Sequence, residues 1–267
     1  MGESIAIRDL TFSYQEDRAP AIHCLSGDIP CGKIVAMLGE SGVGKSTLLS
    51  LMAGVYRRSD DQNGLYKGEI RIFGREPHEL VGPEHMSLMD QHDCLMAHLT
   101  VKQNILLPRE LLSKAKDQAN DHYRELVEYL GLAQWQSHRP IELSGGMKTR
   151  VAFARAVICD PQCLFLDEPF ASLDIQRRWI MYKALRQRRA DCALATVLAT
   201  HDLWEAAILA DVIGVLALKD GKSTMTLEAN TPPELSTSSI AECLKGAQSN
   251  VERISLMLET RVSGTRP

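Results

Sequence analysis

Three glycines, a lysine and two serines fall within eight residues at Gly39-Glu40-Ser41-Gly42-Val43-Gly44-Lys45-Ser46. The spacing fits G-x-x-x-x-G-K-[ST], a loop that cradles phosphate. Phosphate oxygens need several N–H donors converging on one point. Glycine lets the backbone curl tightly with its amides pointing inward. A helix starting at the loop adds free N–H groups and the positive end of its dipole. Lys45 then supplies a full charge to β- and γ-phosphates, and Ser46 offers a hydroxyl to Mg²⁺.

A second set lies far along the chain. Cys163-Leu164-Phe165-Leu166-Asp167-Glu168 is an apolar run ending in two acids. Ligands in α/β proteins sit beyond the carboxyl ends of such strands. Asp167 is placed to hold Mg²⁺, and Glu168 to take a proton from an attacking water. Val197-Leu198-Ala199-Thr200-His201-Asp202 repeats the design, with His201 in reach of a γ-phosphate. A solvated acidic turn and a structural histidine are the plainer readings of these two runs. They leave unexplained why buried strands end in these groups.

These groups need a frame. Ile34–Leu38, Cys163–Leu166 and Ala193–Ala199 read as strands buried on both faces, as in a parallel sheet. Thr47–Val55 reads as the helix after the loop. Ile5, Ile7 and Leu10 begin a half-buried strand, Ala21 opens a second and Glu69–Phe73 another. Leu112, Ala115, Ala119, Tyr123, Leu126 and Leu130 recur at helical spacing. Residues from about Thr100 to Ser144 thus read as a helical subdomain inserted in an α/β chain. The polar stretch Arg57–Lys67 reads as an exposed loop. Thr231-Pro232-Pro233-Glu234 and Ser239-Ile240-Ala241-Glu242 are both helix-start signals. Ile240, Leu244, Ala247, Val251, Ile254 and Leu258 follow as an apolar stripe. It fits a terminal helix docked on its own domain, or a contact to a second subunit.

Composition narrows the function. Of the 267 residues 45 % are apolar, enough for a substantial core. A net charge of -4 and 5 % aromatics argue against a nucleic-acid partner. The 7 cysteines show no regular framework and suit reduced thiols in a reducing compartment. Met1-Gly2-Glu3-Ser4 lacks the basic stretch and apolar core of a signal peptide, and no apolar run is long enough to span a bilayer. The expected place is the cytoplasm. His85, His92, Cys94 and His98 offer a metal site as an alternative use of their region.

Further motifs carry a resemblance. Leu143-Ser144-Gly145-Gly146-Met147 is similar to the LSGGQ signature of ATP-binding-cassette (ABC) ATPases. Ala171-Ser172-Leu173-Asp174 looks like that family's D-loop, Gln91 like its Q-loop glutamine and His201 like its switch histidine. Tyr14 matches the aromatic that stacks on adenine. The resemblance covers about Ile5 to Leu218.

It implies a P-loop NTPase core of α/β class, with a mixed, largely parallel sheet. An N-terminal antiparallel β subdomain and an inserted α-helical subdomain (about 100–145) complete a domain over 4–228, and a short helical tail fills 229–267. It implies an ATP hydrolase in which Gly39–Thr47 and Tyr14 hold the nucleotide, and Ser46, Gln91 and Asp167 serve Mg²⁺. Lys45, Gln91, Glu168 and His201 serve the reaction. Ser144, Gly145 and Gly146, with Asp174 nearby, complete the pocket of a second copy, so two chains sandwich ATP head to tail.

By the same resemblance the chain energises integral-membrane permease subunits. They dock near Gln91–Asn104 and hold it at the inner face of the membrane. Met147 is similar to the nitrate, sulfonate, taurine and thiamine-precursor importers, whose complexes include a periplasmic solute-binding protein. An exporter or lipoprotein-release ATPase, or a soluble ABC ATPase acting on DNA or ribosomes, is the alternative.

Overall fold

The computed structural model describes residues 4–16, 18–57, 65–80, 82–92, 94–112, 116–192, 194–235 and 239–262. Most of the Arg57–Lys67 stretch lies outside the described residues. The chain divides into two compact units, Met1–Val81 with Ala195–Pro267, and Gly82–Leu194.

The first unit opens with an antiparallel sheet in the order β2-β1-β4, formed by β1 (Ser4–Phe12), β2 (Ile22–Pro30) and β4 (Tyr66–Ile72). Ile5, Ile7, Leu10 and Phe12 of β1 are buried. The buried set changes parity between Ile7 and Leu10, where the register shifts and Asp9 adopts φ 47°. One extra residue at this bulge turns Leu10 and Phe12 back to the core.

In the same unit β3 (Ile34–Leu38) runs parallel between β7 (Ala195–Ala199) and β8 (Val212–Lys219). Every residue of β3 and β7 is buried, as expected of central strands. The side-chain Oδ2 of Asp211 accepts from the Ile34 amide at 2.9 Å and pins the start of β3. β8 turns back into β9 (Lys222–Ala229) as an antiparallel hairpin. Its turn, Asp220-Gly221, has φ 51° and 72°, as a type I′ turn requires. Helix α1 (Lys45–Met52) follows β3, and α6 (Leu203–Leu209) follows β7.

Of the two helix-start signals in the tail, only the second opens a helix. Residues 231–235 are in no helix, and α7 spans Ile240–Val262. The Ser239 amide donates to Glu242 at 2.8 Å, and the Glu242 amide donates to the Ser239 hydroxyl at 3.2 Å. This reciprocal box satisfies two donors at once. α7 packs on α6 and buries Cys243, Ala247, Ile254 and Met257.

The second unit pairs β5 (Met86–Met89) with β6 (Cys163–Asp167) in parallel. Its helices are α2 (Val101–Leu111), α3 (Lys116–Tyr129), α4 (Gly145–Val157) and α5 (Ile175–Cys192). Of the apolar positions from Leu112 to Leu130, Ala115 lies outside the described residues. Leu112 caps α2, while Tyr123 and Leu126 belong to α3 and Leu130 follows it. Buried Asn104 takes the Met96 amide at 2.8 Å and donates to the carbonyls of Met96 and Leu99, each at 3.1 Å. It ties the segment after Gln91 onto α2.

Candidate nucleotide site

In the first unit, the phosphate loop joins β3 to α1. Gly44 caps the helix with φ 107°, a conformation few side-chain-bearing residues tolerate. A Cβ there would meet the Ala21 carbonyl oxygen at 2.6 Å, and one on Gly39 would meet the Leu216 oxygen at 2.3 Å. The fold itself therefore demands both glycines. Lys45 Nζ donates to the carbonyls of Gly39 at 2.8 Å and Glu40 at 2.9 Å, so the ammonium lies across the loop. Ser46 is exposed at the start of α1 and Thr47 is buried. A cleft of about 340 Å³ runs along Glu40–Val43 beside Leu216 and Leu218.

Tyr14 stands beside this loop. Its hydroxyl is 2.8 Å from Thr47 Oγ1, and its ring is 52 % exposed. Sequence reasoning placed Tyr14 at the base but did not foresee this link to the loop's end. His201 is exposed just past β7. Asp202 next to it caps α6, accepting from the amides of Trp204 at 2.9 Å and Glu205 at 3.2 Å. A strand end and a capped helix thus hold His201 between them.

In the second unit, parallel pairing sets Met89 beside Leu166. The residues just beyond both strand ends therefore come together. Gln91 Nε2 donates to Glu168 Oε2 at 3.3 Å, joining two residues that lie 77 positions apart. Asp167 is the buried last residue of β6. Glu168, the next residue, has φ 46°. With Nε2 turned to Glu168, the carbonyl oxygen of Gln91 is the group a cation would take. Within this unit Gln91 and Asp167 offer amide and carboxylate oxygens, hard donors of the kind that suit Mg²⁺.

Ser144 is the exposed N-cap of α4, in extended conformation and without a side-chain capping bond. Gly145 is exposed, and a Cβ on it would meet nothing within 4 Å. Gly146 faces Leu173, 3.0 Å from a built Cβ. Thr149 Oγ1 lies 2.8 Å from Ser172 Oγ, linking α4 to the 171–174 segment. Their link could not be read from the sequence, since nothing local relates the two residues. Asp174 accepts from the Arg177 amide at 3.0 Å and pairs with the Arg177 guanidinium. The amide first, then the guanidinium, hold its carboxyl below the usual range. Its carboxylate thus already caps α5.

The structure leaves the metal alternative unsupported. Among the described residues no group of three or more His, Cys, Asp or Glu could hold a metal. His85 instead faces Gln162, at 3.4 Å.

Comparison with known proteins agrees with the motifs. The family model for ABC transporters matches residues 22–171. The chain belongs to the ABC transporter family. The sulfate/thiosulfate import ATP-binding protein CysA of Synechococcus elongatus is 36 % identical over 215 residues, 80 % of this chain and 60 % of that protein. The CysA protein of Salmonella typhi is 38 % identical over 206 residues, 75 % of this chain and 54 % of that protein. The chain thus spans somewhat over half the length of these relatives. A bacterial ABC transporter cassette solved as a dimer shares the fold, with TM-score 0.73 at 23 % identity over 86 % of this chain and all of the other. The same cassette has also been solved with ADP and phosphate after hydrolysis. These relatives carry the names of sulfate and thiosulfate importers, not of the group that Met147 suggested. Among the described residues no helix is long and apolar enough to cross a membrane.

Proposed function

We propose that the chain binds Mg–ATP and hydrolyses it as the ATP-binding subunit of a transporter that imports a small solute. The observation that carries this reading is the contact of Gln91 with Glu168 at the ends of two parallel strands. It brings a candidate metal ligand to a candidate base, in a chain that also carries the glycine loop. We take the two sets to act on one nucleotide. The Gly39–Thr47 backbone and Lys45 bind phosphates, and Tyr14 takes the base. Mg²⁺ bound by Ser46, Asp167 and Gln91 would neutralise charge on the phosphates. Glu168 accepts the proton of the attacking water, and His201 contacts the γ-phosphate.

Ser144–Gly146 is the second copy's contribution, with the 171–174 segment beside it. Exposure of Ser144 and the open space at Gly145 support that role. The permease would dock near Gln91–Asn104 and keep the chain on the cytoplasmic face. Import would also need a periplasmic solute-binding protein. The relatives' names favour an inorganic sulfur oxyanion over nitrate, sulfonate, taurine or a thiamine precursor as cargo.

Two variants test the reading. Glu168→Gln should retain ATP binding and lose about 10²–10⁴-fold in turnover, the usual worth of a placed general base. Full turnover would remove Glu168 from that role. Lys45→Ala should lose ATP affinity, measured by calorimetry. An unchanged dissociation constant would sink the loop assignment.

A further inference from the structure

Aromatic residues are scarce in this chain, at 5 % of the sequence. Four of them nevertheless meet beside the phosphate loop. Phe12 is buried at the end of β1, with Tyr14 at 5.1 Å, Tyr56 at 4.8 Å and Tyr66 at 6.0 Å between ring centroids. Tyr14 and Tyr56 also touch directly, at 5.8 Å and an interplanar angle of 78°. Both are partly exposed, Tyr14 at 52 % and Tyr56 at 36 %. Tyr56 comes just after α1, whose first turn carries Thr47.

The hydroxyl of Tyr14 is fixed to Thr47 Oγ1 at 2.8 Å. That bond sets where the ring's tip lies. It leaves the plane of the ring unset, because rotation about the Cβ–Cγ bond turns the ring on an axis that passes through the hydroxyl oxygen. Stacking on a purine depends on that plane. Phe12 and Tyr56 meet the ring near 90°, at 83° and 78°, and so supply the missing restraint. Phe12 is a core residue that the sheet needs in any case. Tyr56 is a surface residue whose large apolar ring has gained a partner here.

We propose that Tyr56 is a positioning residue for the nucleotide base: its ring holds the plane of Tyr14 so that the exposed face of Tyr14 can stack on a purine. This deepens the nucleotide reading and rests on Tyr14 taking the base. The chemical class served is a purine nucleotide, and the effect acts through Tyr14 alone.

A double-mutant cycle on the full chain tests it, with ATP binding followed by calorimetry. An edge-to-face aromatic pair is worth on the order of twofold to tenfold in an equilibrium constant. Tyr56→Leu keeps apolar bulk but loses the ring, and should weaken ATP binding about threefold to tenfold. Tyr56→Phe keeps the ring and should bind as the parent does. In a Tyr14→Ala background, Tyr56→Leu should cause no further loss. A parental dissociation constant for Tyr56→Leu, failure of Phe to restore binding, or additive losses in the double variant would each overturn the proposal. Lys45→Ala measured alongside separates the two levels. If it binds ATP like the parent, the nucleotide reading itself falls. If it loses binding while Tyr56→Leu does not, only this inference falls.

Discussion

Two glycine-rich helix starts, at α1 and at α4, look alike in sequence and differ in structure. At α1 the fold itself requires glycine, since Gly44 and Gly39 press against the carbonyl oxygens of Ala21 and Leu216. Lys45, the first residue of α1, lies over the loop. At α4, Gly145 meets nothing within 4 Å, and Ser144 is exposed without capping its helix. The first start is a cradle built to completion by its own chain. The second has a conformation any residue could adopt and leaves open space at Gly145, as the proposed contact with a second copy requires. A motif's composition alone does not separate the two.

Substitution by alanine at the two starts should separate them. Gly44→Ala forces a Cβ into a carbonyl at 2.6 Å with φ 107°. It should lower stability by about 1–3 kcal/mol, typical of a side chain held in the left-handed region. ATP binding should fall more than about tenfold. Thermal melting and calorimetry measure the two effects, and parental values in both would break the contrast. Gly145→Ala should leave the melting temperature and ATP affinity unchanged while reducing hydrolysis. The deficit should be largest at low chain concentration, where pairing of copies limits the rate. Equal rates for the variant and the parent across a dilution series would show that α4 serves no second copy.

A smaller effect belongs to the second unit alone. The His122 imidazole accepts from Arg109 at 2.8 Å through Nδ1, and its buried Nε2 has no hydrogen-bond partner among the described residues. Burial above all, then Arg188 and Arg109 against the opposing pull of Asp160, bring its pKa down to about 4. The unfolded chain, near the ordinary value of about 6.5, then binds a proton that the folded chain refuses. Stability contributed by the neutral ring is therefore full above about pH 6.5 and is lost as pH falls toward about pH 4. His122→Asn should flatten the decline in melting temperature over that window. Parallel curves for variant and parent would assign the pH dependence to other groups.

Much of the frame could be read in the residues. β3, β6 and β7 stand out as mainly apolar runs, broken only by Thr196 in β7 and ended by Asp167 in β6, because a strand covered on both faces has few polar positions. The Ser239–Glu242 box opened α7 as its spacing predicts, whereas Pro232 and Pro233 opened nothing. Proline tolerates a helix start but supplies no capping acceptor. The β8–β9 turn is marked by Asp220-Gly221, but only β8 before it is apolar, while β9 is mostly polar. β5 left little trace, since only Met89 of its four residues is buried. The contact of Gln91 with Glu168 could not be read at all. It follows from a strand pairing, and no local pattern encodes which strands pair. The hydroxyl pair Thr149–Ser172 escaped for the same reason.

Glu168 carries a backbone cost at the position proposed for the base. Its φ of 46° belongs to a region where glycine is at ease and glutamate is not. Holding it there costs on the order of 1–3 kcal/mol. A chain shaped by stability alone would carry glycine at this position. Glu168→Gly should therefore melt no lower than Glu168→Gln while hydrolysing as little ATP, and a clearly lower melting point would show that the backbone is at rest. The acid sits there against a conformational preference, a cost that its proposed role as base would justify.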